Sequence, residues 1–308
     1  MLPILYESLC NQTKKSFEWI IIDDGSCDNT DELVGGWINE NPPFEINYKK
    51  KENGGKHRAI NDAVKMARYE WFFTVDSDDF LPLDAIERIQ EWIKTIEHDT
   101  SFFGVQGLCE YISTGNQVGE YPSYKKHEEF IDCTNLQRKK FHLRGDKKGA
   151  WRTNILRKYP FQEFEGENFL TESTVWNKIA HDGYKVRWCN EVIYKCEYLE
   201  DGLTKAGNDK RIIENFEGFT YQTRLIMTTY TRRDGLWWER QLAISHYFYM
   251  AKKKGLKFTA ARQKLEISTG KAYMALLLSK IFNAVHVYKE SGIRGVFAKI
   301  RQKARNED

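Results

Sequence analysis

The chain predicts an α/β protein, with a mostly parallel sheet flanked by helices and a helical C-terminal region after it. Three observations carry that expectation. Helical and strand patterns alternate through residues 1–100, the signature of a parallel sheet. Two short apolar runs end abruptly in acids, at Asp23-Asp24 and at Asp76-Ser77-Asp78-Asp79. From about Asn208 the periodicity becomes almost wholly helical.

The elements follow in order. Leu2, Leu5 and Leu9 fall at helical spacing. Phe17 to Ile22 reads as a buried strand, broken by Asp23-Asp24-Gly25-Ser26. Asp28 and Thr30 are placed to cap the next helix, with Asp31 and Glu32 near its positive end. Asn41-Pro42-Pro43 stops that helix, and Ile46-Asn47-Tyr48 is a short strand. Glu52-Asn53-Gly54-Gly55-Lys56-His57 is a glycine turn opening a helix with Ile60, Ala63, Val64 and Ala67 on its apolar face. Trp71 to Val75 predicts a strand buried on both faces. Beyond Pro82, Asp84 and Glu87 form a candidate capping pair for a helix reaching Ile96.

Between Ser101 and Leu199 the pattern is less regular. Phe102 to Val105 and Gln106 to Tyr111 predict strands, and Gly145 to Gly149 a charged turn. Thr171-Glu172 leads into a helix through Ala180, with Val175, Trp176 and Ile179 on one face. Tyr184 to Trp188 and Val192 to Cys196 are two further strands, and Tyr198 to Thr204 leaves the sheet as a loop. In the C-terminal third, Phe216, Phe219, Trp237, Trp238, Leu242, Tyr247, Leu276, Leu277, Ile281, Phe282 and Val285 are among the apolar positions. Basic residues interleave with them: Lys252, Lys253, Lys254, Lys289, Arg294, Lys299, Arg301, Lys303 and Arg305. That composition suits either a solvated basic face or a surface resting on anionic lipid.

Composition removes several classes. A net charge of +3 implies no nucleic-acid partner. Cys10, Cys27, Cys109, Cys133, Cys189 and Cys196 lack the spacing of a zinc site or disulfide framework, so reduced thiols in the cytoplasm are expected. No apolar run approaches the roughly 18 residues of a membrane span. The 308 residues carry 14% aromatic side chains, which serve sugar-stacking surfaces and cores equally.

In an open α/β sheet the strand ends form a ligand crevice. The two acidic strand ends and the Gly-Gly-Lys turn would converge there. Crowded carboxylates call for a cation, and hard divalent ions take oxygen ligands. With Lys56 beside it, such a site could neutralise a diphosphate, while Asp24 accepts a hydrogen bond from a base or ribose. Taken alone, the acids of the Asp76 stretch read equally as a solvated turn.

Phe17-Glu18-Trp19-Ile20-Ile21-Ile22-Asp23-Asp24-Gly25-Ser26, Glu52-Asn53-Gly54-Gly55-Lys56-His57 and Val75-Asp76-Ser77-Asp78-Asp79 together resemble bacterial family 2 glycosyltransferases of the GT-A fold. The resemblance covers about residues 1–205. It implies a glycosyltransferase domain there, with a nucleotide-binding half (1–100) and an acceptor half (101–205), and a helical region over 206–308. It implies that Asp23 and Asp24 contact the nucleotide base and ribose. Asp76 would lie nearer the ribose and share a metal, Mn²⁺ or Mg²⁺, with Asp78 as the more direct ligand; Lys56 would approach the nucleotide. The family's general base begins a later helix, commonly as a Glu-Asp pair; here Glu172 takes that place and Ser173 follows it. The alternative for Glu172 is a carboxylate that only complements a helix N-terminus.

The reaction so implied is an inverting transfer from a nucleotide sugar, UDP-linked, to a glycan or lipid-linked acceptor in cell-surface polysaccharide synthesis. The location would be cytoplasmic or peripheral on the inner face of the membrane. The resemblance also implies a strand ahead of Met1, central in the sheet, whose loss would open the core. Rival readings are a sugar-nucleotide pyrophosphorylase, a phosphoacceptor receiver domain, and a nucleotide-binding relative without activity. Glu200 and Asp201 read as metal or acceptor contacts or as an exposed turn, and Trp151-Arg152 as acceptor lining or as packing. His57, His127, His142, His181 and His246 show no ligand spacing, with His57 nearest the site.

Overall fold

A computed structural model describes residues 1–122, 124, 129–197 and 208–281. Tyr198–Thr204 with Glu200 and Asp201, His127, Phe282, Val285 and the basic residues from Lys289 to Arg305 lie outside the described residues. The chain forms two compact units, Met1–Gly218 and Phe219–Asp308.

The first unit opens with α1 (Leu2–Cys10), β1 (Glu18–Asp23), α2 (Thr30–Asn39), β2 (Glu45–Lys50) and α3 (Lys56–Met66). There follow β3 (Trp71–Phe73), α4 (Ala85–Lys94), β4 (Phe102–Tyr111), β5 (Phe130–Cys133), a 3₁₀ helix over Asn135–Phe141 and β6 (Lys147–Arg152). The unit continues through α5 (Thr153–Lys158), α6 (Ser173–His181), β7 (Lys185–Cys196) and α7 (Asn208–Glu214), and α8 (Phe216–Thr229) leads out of it. β1 and β2 pair in parallel. The other strands form one sheet in the order β3-β6-β4-β7-β5. Within it β4 and β7 are parallel, and β3–β6, β4–β6 and β5–β7 are antiparallel.

The core lies on both faces of β4. On one, Phe102, Val105 and Cys109 join Leu5 and Leu9 of α1 and Ala85, Ile89 and Trp92 of α4. On the other, Phe103 stacks on Trp151 at 4.4 Å, and Trp151 stacks on Trp176 of α6 at 4.9 Å. Aromatic stacking of this kind adds to the burial itself. It anchors α6, and therefore Glu172 at its start, to the sheet.

Several expectations change. The acidic strand is three residues long, half-buried, and forms an edge paired with β6. It is not buried on both faces, because pairing stops where the chain turns into the acids. The two runs expected over 102–111 are one strand, as are those expected over 184–196, each continuing through irregular register at β4–β7. The charged turn expected over 145–149 begins β6 at Lys147. Charged residues sit in that strand because only alternate side chains need face the core. Asp84 precedes α4 but makes no capping bond. Its carboxylate takes Arg88 Nε at 3.2 Å and Glu87 accepts from the Thr13 hydroxyl at 2.8 Å, so no capping box forms. Asp28 likewise bonds Thr30 N–H and hydroxyl, with Asn29 as the residue before α2.

Trp151 and Arg152 both pack. The Arg152 guanidinium reaches the carbonyls of Phe102, Ile96 and Glu97 and pairs with Glu70 at 2.6 Å. In the second unit, α9 (Trp237–Lys253) packs with α10 (Phe258–Leu265), and Tyr247, Met250 and Leu265 are fully buried. A further helical stretch occupies residues 269–281. Among the described residues, no helix is long and apolar enough to cross a membrane.

Candidate active site

The first acidic strand end turns back on the protein. Asp23 is buried; its Oδ1 accepts the Ser26 N–H at 2.7 Å and its Oδ2 the Tyr48 hydroxyl at 2.7 Å. Burial alone would raise its pKa, but these bonds and nearby Lys50 outweigh it and lower the pKa below 3.8. A carboxylate with a depressed folded pKa contributes stability that is complete above the unfolded value and lost as pH falls through the acid range. Asp23→Asn should therefore cost about 1–3 kcal/mol at pH 7. In urea melts the gap to wild type should narrow below about pH 4. An equal gap at pH 7 and pH 3 would show that Asp23 does not act through its charge.

Asp24 organises the glycine turn. Its Oδ1 accepts the Gly54 N–H at 2.9 Å and Lys51 Nζ at 3.3 Å, and its Oδ2 accepts the Gly55 N–H at 2.6 Å. Gly55 has φ +90° and ψ 155°, a conformation that only glycine adopts freely. A Cβ there would lie 1.7 Å from the Asn168 carbonyl oxygen. The turn is thus pressed against the loop that leads to Glu172. Arg58, in the first turn of α3, clamps the two together by donating to the carbonyls of Gly54, Phe164 and Glu167.

The second acidic strand end meets this assembly through lysine. Lys56 Nζ lies 2.6 Å from Asp76 Oδ1 and 2.9 Å from Glu172 Oε1. Lys148 Nζ lies 2.8 Å from Asp76 Oδ2. Burial opposes charge on all three partners of this chain. For Asp76, Lys148 and then Lys56 outweigh it and hold the carboxyl far below its usual range. Lys56 is held up mainly by Glu172, and Lys148 mainly by Asp76.

Behind them, the Tyr194 hydroxyl accepts the Asp76 N–H at 2.9 Å and donates to Asp79 Oδ2 at 2.8 Å. Burial pushes Asp79 up to about 6; the Tyr194 bond opposes this, and repulsion from Asp76 and Asp78 adds to it. Asp78 is exposed. His57 is buried with no hydrogen-bond partner on Nδ1, and burial followed by Arg58 lowers its pKa.

Asp76, Lys56 and Glu172 therefore come together, and Asp24 joins them through the glycine turn. Asp23 faces its own turn and Tyr48 of β2. Sequence reasoning missed Lys148, Tyr194 and Arg58. Strand alternation over Lys147–Arg152 was the available signal for Lys148, since it puts Lys148 and Arg152 on one face.

Among the described residues, no group of three or more His, Cys, Asp or Glu side chains is set to hold a metal. Both Asp76 oxygens already carry lysine. That is no protein-only cage. Asp76 and the exposed Asp78 are the carboxylates that would hold Mg²⁺ or Mn²⁺, and only together with substrate phosphates.

The fold is GT-A. The TarS fragment 1–349 of S. aureus in complex with UDP-GlcNAc matches with TM-score 0.62, over 98% of this chain and 88% of that one, at 19% identity. At that identity the likeness concerns the fold alone. The family model for glycosyl transferase family 2 matches residues 1–154, half of the 308, and the chain belongs to that family.

Among curated proteins, a poly-beta-1,6-N-acetyl-D-glucosamine synthase of Staphylococcus aureus (strain COL) is 39% identical over 116 residues, 38% of this chain and 27% of the relative. Chondroitin synthase of Pasteurella multocida (strain Pm70) is 39% identical over 89 residues, 29% of this chain and 9% of the relative. A poly(ribitol-phosphate) beta-glucosyltransferase of Bacillus spizizenii is 29% identical over 104 residues, 33% of this chain and 16% of the relative. The chain spans well under a third of the length of these curated relatives.

Proposed function

We propose that this chain is a glycosyltransferase that moves a sugar from a UDP-linked donor to a hydroxyl of a glycan or lipid-linked acceptor in cell-surface polysaccharide synthesis. The observation that carries the reading is the bridge Asp76–Lys56–Glu172, which sets a candidate base and an acid-lysine cluster within one residue's reach. Family membership supports the chemistry, and relatives named as polysaccharide synthases support the acceptor class.

Glu172, at the start of α6, takes the acceptor hydroxyl proton as its oxygen bonds to the anomeric carbon. The bond from that carbon to the phosphate oxygen breaks, and the nucleoside diphosphate leaves with the electron pair. Lys56 would offset the charge that grows on the leaving group. Asp78 and Asp76 would hold Mn²⁺ or Mg²⁺, whose contribution is further neutralisation of the diphosphate. Attack opposite the leaving group inverts the anomeric centre.

Thermal melting with UDP or GDP, each with and without Mn²⁺, tests this. UDP with Mn²⁺ at a hundred times its Kd should stabilise wild type by about 2.7 kcal/mol, and Asp78→Ala should lose most of that shift. A preference for GDP would replace the donor class, and no shift with any combination would defeat the reading. Binding without turnover of any UDP-sugar would favour a nucleotide-binding relative that lacks activity.

We also propose peripheral contact with an anionic membrane. Tyr273, Met274, Leu277 and Ile281 in residues 269–281 are exposed large apolar side chains, and basic residues are frequent after them. Co-sedimentation with phosphatidylglycerol vesicles, lost on Leu277→Glu and in phosphatidylcholine, is the expected result. Equal sedimentation with both lipids would exclude the electrostatic part.

A further inference from the structure

The two lysines on Asp76 differ in kind. Lys148 lies within β6, opposite Gly107 of β4, with its side chain 17% exposed and its ammonium 4.9 Å from the centre of the buried Tyr194 ring. Lys56 stands at the first position of α3 after the glycine turn, with its side chain 42% exposed. One is built into the sheet; the other sits at the mouth and divides itself between Asp76 and Glu172.

A diphosphate arriving at this mouth competes with Asp76 and Glu172 for Lys56. If Lys56 were the only cation on Asp76 before any metal arrives, its departure would strand a carboxylate that is only 28% exposed, which disfavours departure. With Lys148 in place, Asp76 keeps a counter-ion after Lys56 leaves. Glu172 would at the same time lose the ammonium it holds at 2.9 Å and be left to accept a proton.

We propose that Lys148 is a positioning residue: the fixed counter-ion of Asp76, whose presence frees Lys56 to bind the donor diphosphate. This rests on the function proposed above. Lys148 acts through Lys56 and Asp76, so its loss should weaken binding of phosphates and leave the nucleoside alone untouched.

Calorimetric titration of the full chain with UDP and with uridine tests it, read without added metal, since Mn²⁺ on Asp76 would itself replace the departing Lys56, and repeated with Mn²⁺ to establish wild-type binding. Lys148→Met should weaken UDP about tenfold or more, the scale expected when a half-buried carboxylate loses one of two charge partners, with uridine unchanged. Lys148→Arg should restore UDP affinity to within about threefold, since it keeps the charge. In a Lys56→Met background, Lys148→Met should have almost no further effect on UDP, because the residue through which it acts is gone.

A second pair guards against a variant that fails to fold. Asp76→Asn and Asp76→Asn/Lys148→Met leave no carboxylate to compensate, and should bind UDP alike. Unchanged UDP affinity in Lys148→Met, a full effect persisting in the Lys56→Met background, or a further loss in the Asp76→Asn pair each overturns the proposal. Wild type that binds neither UDP nor GDP overturns it together with the proposed function, whereas wild-type binding with indifferent Lys148 variants overturns it alone.

Discussion

Glu172→Gln is expected to lower kcat by about 10²–10⁴-fold, the usual worth of a positioned general base, while the Kd for UDP with Mn²⁺ stays within about threefold of wild type. The amide keeps the shape of the side chain and can no longer take a proton. Ser173 offers no substitute, since a neutral hydroxyl is too weak a base to take the proton; it lies 3.2 Å from the Thr171 hydroxyl. Glu172 precedes α6 yet makes no capping hydrogen bond, so its carboxylate is not consumed by the helix. Its partner is Lys56. Release of UDP from a panel of UDP-sugars with an oligosaccharide acceptor measures the effect. A Gln variant retaining half of the wild-type kcat would remove Glu172 from the chemistry and leave it the role of holding Lys56.

Gly55→Ala should be the most damaging small substitution in the site. Its backbone conformation alone costs on the order of 1–3 kcal/mol for a residue with a Cβ. The added carbon would also lie 1.7 Å from the Asn168 oxygen and 2.6 Å from its carbonyl carbon, and backbone cannot swing aside as a side chain can. A total loss above about 3 kcal/mol is expected, and with it loss of UDP binding, because Asp24, the turn and the Glu172 loop separate together. Gly183→Ala is the control: φ there is +95°, with nothing within 4 Å of a new Cβ. It should cost only the conformational strain, on the order of 1–3 kcal/mol. Equal losses at the two positions would mean that backbone strain, not contact with Asn168, explains Gly55.

The parts of this site legible in the sequence were those with short-range signatures. Acids directly after an apolar run, a Gly-Gly-Lys turn ahead of a period-3.6 helix, and Glu172 before Ser173–His181 all announce themselves within ten residues. Lys148 and Tyr194 do not. Alternation gives the face Lys148 takes, but what it meets depends on β6 lying between β3 and β4, an antiparallel arrangement between segments some forty to eighty residues apart, and what Tyr194 meets depends on β7 reaching Asp76 and Asp79. The same limit explains why β4 reads as two short strands meeting at Val105 and Gln106, and β7 as two separated by residues 189–191, where the β4–β7 register shifts. Asp23 and Asp24 were legible as acids at a strand end but not as hydrogen-bond acceptors for Ser26, Tyr48, Gly54 and Gly55. Which way a carboxylate turns is decided by its tertiary neighbours.

The Asn168–Phe169 segment that backs the glycine turn is itself pinned from further along the chain. Asn215 Oδ1 accepts the N–H groups of Asn168 and Phe169, each at 2.9 Å. The Glu167 carboxylate accepts the N–H groups of Glu217 and Gly218, at 2.6 and 2.8 Å, at the start of α8, where the helix dipole favours a negative charge. Removing the chain from Asn208 onward would take away these bonds while leaving every acid and lysine of the site intact. A shortened protein meant to keep the catalytic half must run past residue 218 to carry its own latch.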